Sequence, residues 1–504
     1  MLHGLRRVSP AAVLLAVFAA FVLCASPALA VSAPPQQRLA VAAGDTIGSL
    51  GYAAAVSGDT AVVGAPGSTS VEATGTPGAA YVFTRSGATW TQSQKLTAGD
   101  ATPDAGFGCS VAMSGDTILV GAMFAAAGSN RYQGAVYVFT RSGGTWRQTQ
   151  KLTASDGFDG SHFGFSVALD GETALIGAEA EPGEDGVKPL GPAAAYVFTR
   201  SGGTWSQQQV LADGAGGVDT WTRYGYSVAL DGDTAVVSES RRAVDGNVQQ
   251  GALHVYTRSA GVWTHQQLLV QDDGAANDMF GGLAIAVQGD AIMSGALCAI
   301  DGKSRQGAVY VFSRAGSTWT QQQKFTSSDG AVEDDFGSAL ALDGDRALIS
   351  APHLRSVLSG AQPGSVYVFT KKAAGWTQDG GRIRAADAQG GDLFGMGPAL
   401  QGGTALVGAP GWPGTEPELG AAYVLGLPST IKAAVAAGRG TVKPAGSRSV
   451  AYGATPTYTF TPARGYKVKR VTVDGVGVKL TRNNTYTFPP VVAGHAVRVV
   501  FVAR

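Results

Sequence analysis

Cysteine, charge and long apolar runs are all scarce in this chain of 504 residues. Three cysteines exclude a disulfide scaffold and any zinc centre built on cysteine clusters. Cys109 and Cys298 fall in repeats three units apart, so they are expected to be small buried residues and not bridge partners. After the N-terminal segment no apolar stretch approaches the roughly 18 residues of a membrane helix. Charged residues make up only 15 % of the chain against 45 % apolar, which excludes a disordered polyelectrolyte. Histidine is scarce too, at six residues, and no H-E-x-x-H, G-x-S-x-G or P-loop occurs. His162, His254, His265, His353 and His495 share no repeated spacing. His254 stands where other units carry a strand tyrosine, and His265 sits in a glutamine stripe, so both read as structural substitutions. No catalytic residue, cofactor site or metal site is therefore assigned.

Glycine, by contrast, is abundant at 72 residues. The first 30 residues read as a cleaved secretory signal: Arg6 and Arg7, an apolar run from Ala11 to Leu23, and Ala28-Leu29-Ala30. Leu23 is too bulky for a lipid-attachment site at Cys24. The chain is thus expected to be exported, secreted or held at the cell surface.

A repeat organises the chain beyond this segment. The glycine that opens the phrase Gly-Asp-Thr and its variants recurs at Gly58, Gly115, Gly171, Gly232, Gly289, Gly344 and Gly402. The spacings are 57, 56, 61, 57, 55 and 58 residues. The clearest unit reads FGCSVAM, TILVGA, AVYVFTR and TWRQTQKL, four short β-rich runs joined by Gly-Asp and Ser-Gly-Gly turns. Seven such meanders predict an all-β, seven-bladed β-propeller of four-stranded antiparallel blades over residues 31–429. Trp90, Trp146, Trp205, Trp263, Trp319 and Trp376 open the fourth strand of six units and are expected to pack between blades. Side-chain alternation puts Trp146, Gln148, Gln150 and Leu152 on one face of that strand. The seventh unit stops after Leu425 without its Trp strand, whereas Gln36-Gln37-Arg38-Leu39 matches Gln322-Gln323-Lys324-Phe325. The N-terminal segment near Gln36–Val41 is therefore expected to close the last blade and leave no open edge.

The units resemble the FG-GAP repeats of bacterial secreted proteins, related to the propeller of integrin α subunits. The matching residues are Phe107-Gly108, Phe163-Gly164, Phe336-Gly337 and Phe394-Gly395, with Gly64-Ala65-Pro66 and Gly408-Ala409-Pro410. The resemblance implies extracellular recognition or adhesion without naming a ligand. The calcium-binding members carry an Asp-rich loop of about nine residues between the two motif halves, enough to wrap the six or more oxygens Ca²⁺ needs. Here Ser57-Gly58-Asp59, Ser114-Gly115-Asp116 or Asp170-Gly171-Glu172 stands instead, so those sites are not carried over. A second acidic loop recurs before each FG motif, at Asp156-Asp159, Asp272-Asp278 and Asp329-Asp335; it could hold a cation or simply make turns.

From residue 430 the pattern changes. Tyr458-Thr459-Phe460-Thr461-Pro462, Gly465-Tyr466-Lys467-Val468 and Val471-Thr472-Val473-Asp474-Gly475 resemble the divergent InlB B-repeat modules of bacterial surface proteins, which implies a small all-β surface-association module over 430–504. It holds twelve Lys or Arg and one acid, Asp474, a net of +11. Residues 31–429 hold 23 basic and 36 acidic residues, a net of −13. A neutral total thus hides a dipolar chain. Three readings fit: the tail binds an anionic envelope polymer or nucleic acid, it contacts the acidic propeller, or it is merely solvated. In the first, alternation puts Lys467 and Lys469 in water opposite Tyr466 and Val468, and Arg464, Arg470, Lys479 and Arg482 stand close by in sequence. The expected function is a non-catalytic, monomeric binding or adhesion protein with an unknown extracellular protein or polysaccharide ligand and no membrane span. The alternatives are an exported polysaccharide lyase or hydrolase working on a propeller face, and a structural spacer.

Overall fold

The four β-rich runs of each unit are its four strands. The computed structural model describes residues 34–504 except 43–44, 46–47, 68–74, 181–190, 213–221, 283, 299, 301, 355–361 and 412–419. The expected signal at 1–30 lies outside the described residues. Among these residues there is no helix, and seven four-stranded antiparallel sheets follow one another. In the second, Phe107–Ser114, Thr117–Ala122, Ala135–Ser142 and Thr145–Leu152 pair in chain order. The innermost strands touch in sequence, and the seventh touches the first, so the sheets close into a ring. No helix of the described residues is long and apolar enough to cross a membrane.

Turn chemistry sets each meander. Gly58, Gly115 and Gly171 open two-residue turns at φ 59°, 56° and 54°, the left-handed region a glycine enters without strain. The second strands are buried along their whole length, save for half-buried first residues in the fifth and sixth blades, because each blade face is covered by a neighbour. This stacking explains the motif. The glycine of Gly-Ala-Pro in one blade abuts the glycine of Phe-Gly in the next, so that a Cβ on Gly64, Gly121, Gly177 or Gly295 would overlap the carbonyl of Gly108, Gly164, Gly225 or Gly337. Gly408 of the seventh blade meets Gly51 of the first in the same way. The phenylalanine beside that glycine fills the blade interface: Phe107 packs edge-on against Tyr137 and Phe163 against Tyr196, each at 5.4 Å.

The N-terminal strand closes the ring. Gln36–Arg38 pairs antiparallel with Ala421–Gly426, in the register Gln36↔Leu425, Gln37↔Val424 and Arg38↔Tyr423. The tryptophans are buried between blades, and in the first five blades each lies under an arginine at the end of its third strand, as with Arg141 at 5.3 Å from the Trp146 ring and Arg258 at 5.1 Å from Trp263. In the second to fifth blades that arginine also binds the turn acid of its own blade and a threonine of the previous one: Arg141 meets Asp116 at 2.6 Å and Thr60 at 3.2 Å. The Gly-Asp-Thr phrase is therefore an inter-blade joint.

One expectation fails. Trp146, Gln148, Gln150 and Leu152 do not share a face, because the ladder slips by one residue between Val138 and Phe139 and Thr149 forms a β-bulge. Trp146 and Gln148 look toward the first blade, where the Gln148 Oε1 accepts from Gly99 N–H at 2.8 Å. Gln150 and Leu152 turn to the third. The Gln150 amide donates to Trp205 O at 2.7 Å and accepts from Trp205 N–H at 2.9 Å. The same two-point clasp joins Gln37 to Trp90, Gln94 to Trp146, Gln209 to Trp263, Gln267 to Trp319 and Gln323 to Trp376.

Residues from Ser429 onward form two further sheets, one of five strands and one of three, around Ile431, Tyr458, Phe460, Val499 and Phe501. They meet the propeller through neutral contacts. Gly403 N–H donates to Val492 O at 2.8 Å, and the Trp90 indole N–H donates to the Tyr452 hydroxyl at 3.4 Å. No ion pair joins these sheets to the propeller among the described residues.

Candidate functional sites

Two places in the fold gather side chains able to hold a ligand. The first is the central cavity, of about 290 Å³, lined by the innermost strands. In six of the seven blades the residue after the Phe-Gly pair, or its Leu-Gly or Tyr-Gly counterpart, lines it: Tyr52, Cys109, Phe165, Tyr226, Ser338 and Met396. The aromatic members stand on the first, third and fourth blades, whereas the fifth and sixth carry Gly282 and Ser338, so one wall is aromatic and the other small. Burial pushes the Cys109 thiol up to about 11, so it stays neutral, and Cys298 is likewise buried and unbridged.

The second is the basic face. Tyr466–Val473 pairs with His495–Ala503, which pairs in turn with Ser429–Ala437. Tyr466 and Val468 pack against the core, and Lys467 and Lys469 are exposed. A bulge between Val468 and Arg470 then sets Lys469 and Arg470 side by side in solvent. Residues paired across strands share a face, so Lys467 (opposite Val502), Arg470 (opposite Val500), Arg498 (opposite Thr472) and Lys432 (opposite Ala496) all lie on the outer face. Val478 N–H donates to Val471 O at 3.0 Å, which carries the register on and sets Lys479 level with Arg470. Arg464 and Arg482 do not join this face. Arg464 sits in the turn where Ala463 N–H donates to Arg439 O and Arg504 N–H to Gly465 O, an end cluster with Arg439 and Arg504. Arg482 tops the turn leading to Thr485–Thr487, in the three-stranded sheet. Lys432 and Arg498 were not legible, since each belongs to a strand remote in sequence from Lys467.

With this geometry in place, the FG-GAP repeat family model matches residues 90–139, 146–198, 263–312, 319–369 and 376–425, together just over half of the chain. The chain belongs to the FG-GAP repeat family. Each match begins at a blade's outer Trp strand or just after it and ends in the third strand of the next, so the family's sequence unit straddles two blades of this propeller. The matches end at residue 425, before the basic sheets. No curated protein matches the chain.

In this FG-GAP propeller the recurrent acids before each Phe-Gly are engaged. Asp273 takes the Tyr310 hydroxyl at 3.0 Å and Lys324 at 2.6 Å, and Asp329 takes Tyr367 at 2.8 Å and Arg382 at 2.9 Å. Burial tends to raise both carboxyls, and the bonds from these cations and tyrosines outweigh it, leaving both below the ordinary range. Among the described residues no group of three or more His, Cys, Asp or Glu is placed to hold a metal ion.

A further cluster was missed. In the fourth blade Glu239 replaces the motif alanine, and His254 Nε2 lies 2.8 Å from its Oε2. His254 Nδ1 in turn lies 3.2 Å from His265 Nε2. Burial acts to raise the Glu239 carboxyl, but His254 and Arg242 hold it below its usual value. The signal was present, two exchanged motif positions in one unit, but only the sheet pairs them. Glu239 and His254 are 1 % and 2 % exposed and lie outside the cavity lining, so they stand in the blade interface as a substitute for the Tyr-Asp-Lys arrangement of other blades.

Proposed function

We propose that this chain is an exported, non-catalytic binding protein, with the FG-GAP propeller as recognition scaffold and the basic C-terminal sheets gripping an anionic polymer of the cell envelope. The observation that carries the reading is the state of the cations. All twelve Lys and Arg of 430–504 are exposed, none has a carboxylate within 4.0 Å among the described residues, and Lys432, Lys467, Lys469, Arg470, Lys479 and Arg498 share one face. Contact with the acidic propeller would have used them. The resemblance of this segment to InlB B-repeat modules supports the same surface role. Six cations on one face bind a polyanion by displacing its counterions, so affinity should fall about a thousandfold for a fourfold rise in salt on duplex DNA. Binding of the full chain to teichoic acid, heparin and DNA, measured across a salt series, tests this. Lys467→Glu with Lys469→Glu should weaken binding and flatten the salt slope while the melting temperature holds. If the parent ignores all three polymers at low salt, the reading fails.

A further inference from the structure

The lining of the central cavity has a chemistry of its own, independent of the basic face. Phe165 and Tyr226 stand on adjacent blades with ring centroids 4.7 Å apart and planes tilted by 45°, and Tyr52 lines the same cavity from the first blade. Among the described residues Tyr52 has neither a ring partner nor a hydrogen bond to its hydroxyl. The serines offer less. Ser110 donates to Gly164 O at 2.7 Å, Ser166 to Gly225 O at 3.0 Å and Ser338 to Asp335 O at 2.5 Å, so these hydroxyls are already spent. Burial pushes the Cys109 thiol up to about 11 and the Tyr226 hydroxyl up to about 12, and raises that of Tyr52, so each keeps its proton at neutral pH. Much of the remaining lining is aliphatic, with Val111, Val167, Val228, Ile285 and Leu340 from successive blades.

We propose that the central cavity binds a single-ring phenol, its ring against the wall of Phe165 and Tyr226 and its hydroxyl hydrogen-bonded to that of Tyr52. Size, surface and hydrogen bonding each limit the ligand. At about 290 Å³ the cavity lies at the lower edge of small-molecule sites, room for one ring and not for an oligomer. Aromatic pairs gain beyond the area they bury, which favours a flat unsaturated ring over a saturated one. A sugar of the same size carries a hydroxyl on most of its carbons, and those left without partners in an apolar cavity are costly to desolvate.

Titration of the full chain with phenol, cyclohexanol, toluene and glucose, followed by ligand-detected NMR, tests the site. Phenol should bind about fivefold more tightly than cyclohexanol, which keeps the hydroxyl and loses the π-face. Glucose should not displace it. Tyr52→Phe should weaken phenol about fivefold, the worth of one neutral hydrogen bond, and leave toluene unchanged, a split that a purely structural tyrosine would not produce. Phe165→Leu should weaken phenol and toluene and spare cyclohexanol. The comparison of phenol with cyclohexanol and glucose needs only the parent protein, so it decides the matter even where a variant fails to fold. The Lys467→Glu, Lys469→Glu protein should bind phenol like the parent, which separates this site from the basic face. Phenol no tighter than cyclohexanol, glucose displacing phenol, or full phenol affinity after either cavity substitution would overturn the proposal.

Discussion

The glycines of Phe-Gly and Gly-Ala-Pro exist because two backbones touch across each blade interface, and where the fourth and sixth blades carry Ser238 and Ser350 instead, the facing Gly281 and Gly395 meet a side chain. Residues at such junctions are held tightly, and His162 is the clearest titrating case. It lies 5 % exposed, edge-on to Phe124 at 5.2 Å, and burial lowers its pKa from 6.5 to about 4. A depressed histidine leaves stability intact above the unfolded value. As pH falls from about 6.5 to about 4 the unfolded chain takes the proton first, and about 3 kcal/mol is lost. Below that range both states are protonated and the loss stops. His162→Asn, a residue that tolerates the local φ of 50°, should be less stable than the parent near neutral pH through lost packing. The gap should narrow when melting is measured near about pH 4.5. A gap that stays constant would mean that this histidine titrates normally.

At the scale of the element, the fourth strand holds two neighbours at once. Its bulge rotates half of the strand by one position, so that Trp146 faces back and Gln150 faces forward. Without the extra residue both would look the same way, and the clasp to Trp205 could not form. Gln150→Leu leaves the Trp205 N–H and C=O without their partner and should cost about 1–3 kcal/mol, read as a lower melting temperature. Gln148→Leu loses a single exposed bond to Gly99 and should cost clearly less. Equal losses would mean that the clasp contributes no more than an ordinary surface amide.

For the whole molecule, closure is the decisive feature. A ring of blades has no free face, but its last blade needs an outer strand, and Gln36–Arg38 supplies it from the far end of the chain. Gln37 then clasps Trp90, which ties the seventh blade to the first. Removing residues 31–42 strips this strand and exposes the edge of Ala421–Gly426. We expect a marked fall in melting temperature, or aggregation through the bared edge, detected by scattering. A truncated protein that melts like the parent would show that the ring is held without it. The charge is also arranged at this scale, with −13 on residues 31–429 and +11 on 430–504, and among the described residues no ion pair joins the two.

Strand number, strand order and closure were legible because each rests on short-range signals: alternation within seven or eight residues, a glycine at every left-handed turn, and a Gln-Gln-Arg-Leu segment that matches the missing strand. The repeat period alone sufficed to count blades. What lay beyond the sequence was everything set by the approach of distant segments. A bulge inverts the faces of Gln150 and Leu152 because the fit to the next blade, and not local alternation, decides which way a side chain turns. Glu239, His254 and His265 meet only through strand pairing, and Lys432 reaches the face of Lys467 only because Ser429–Ala437 and Tyr466–Val473 flank one central strand. The central cavity has the same origin: its lining comes from the innermost strands of all seven blades, and a pocket exists only once they are bent into a ring.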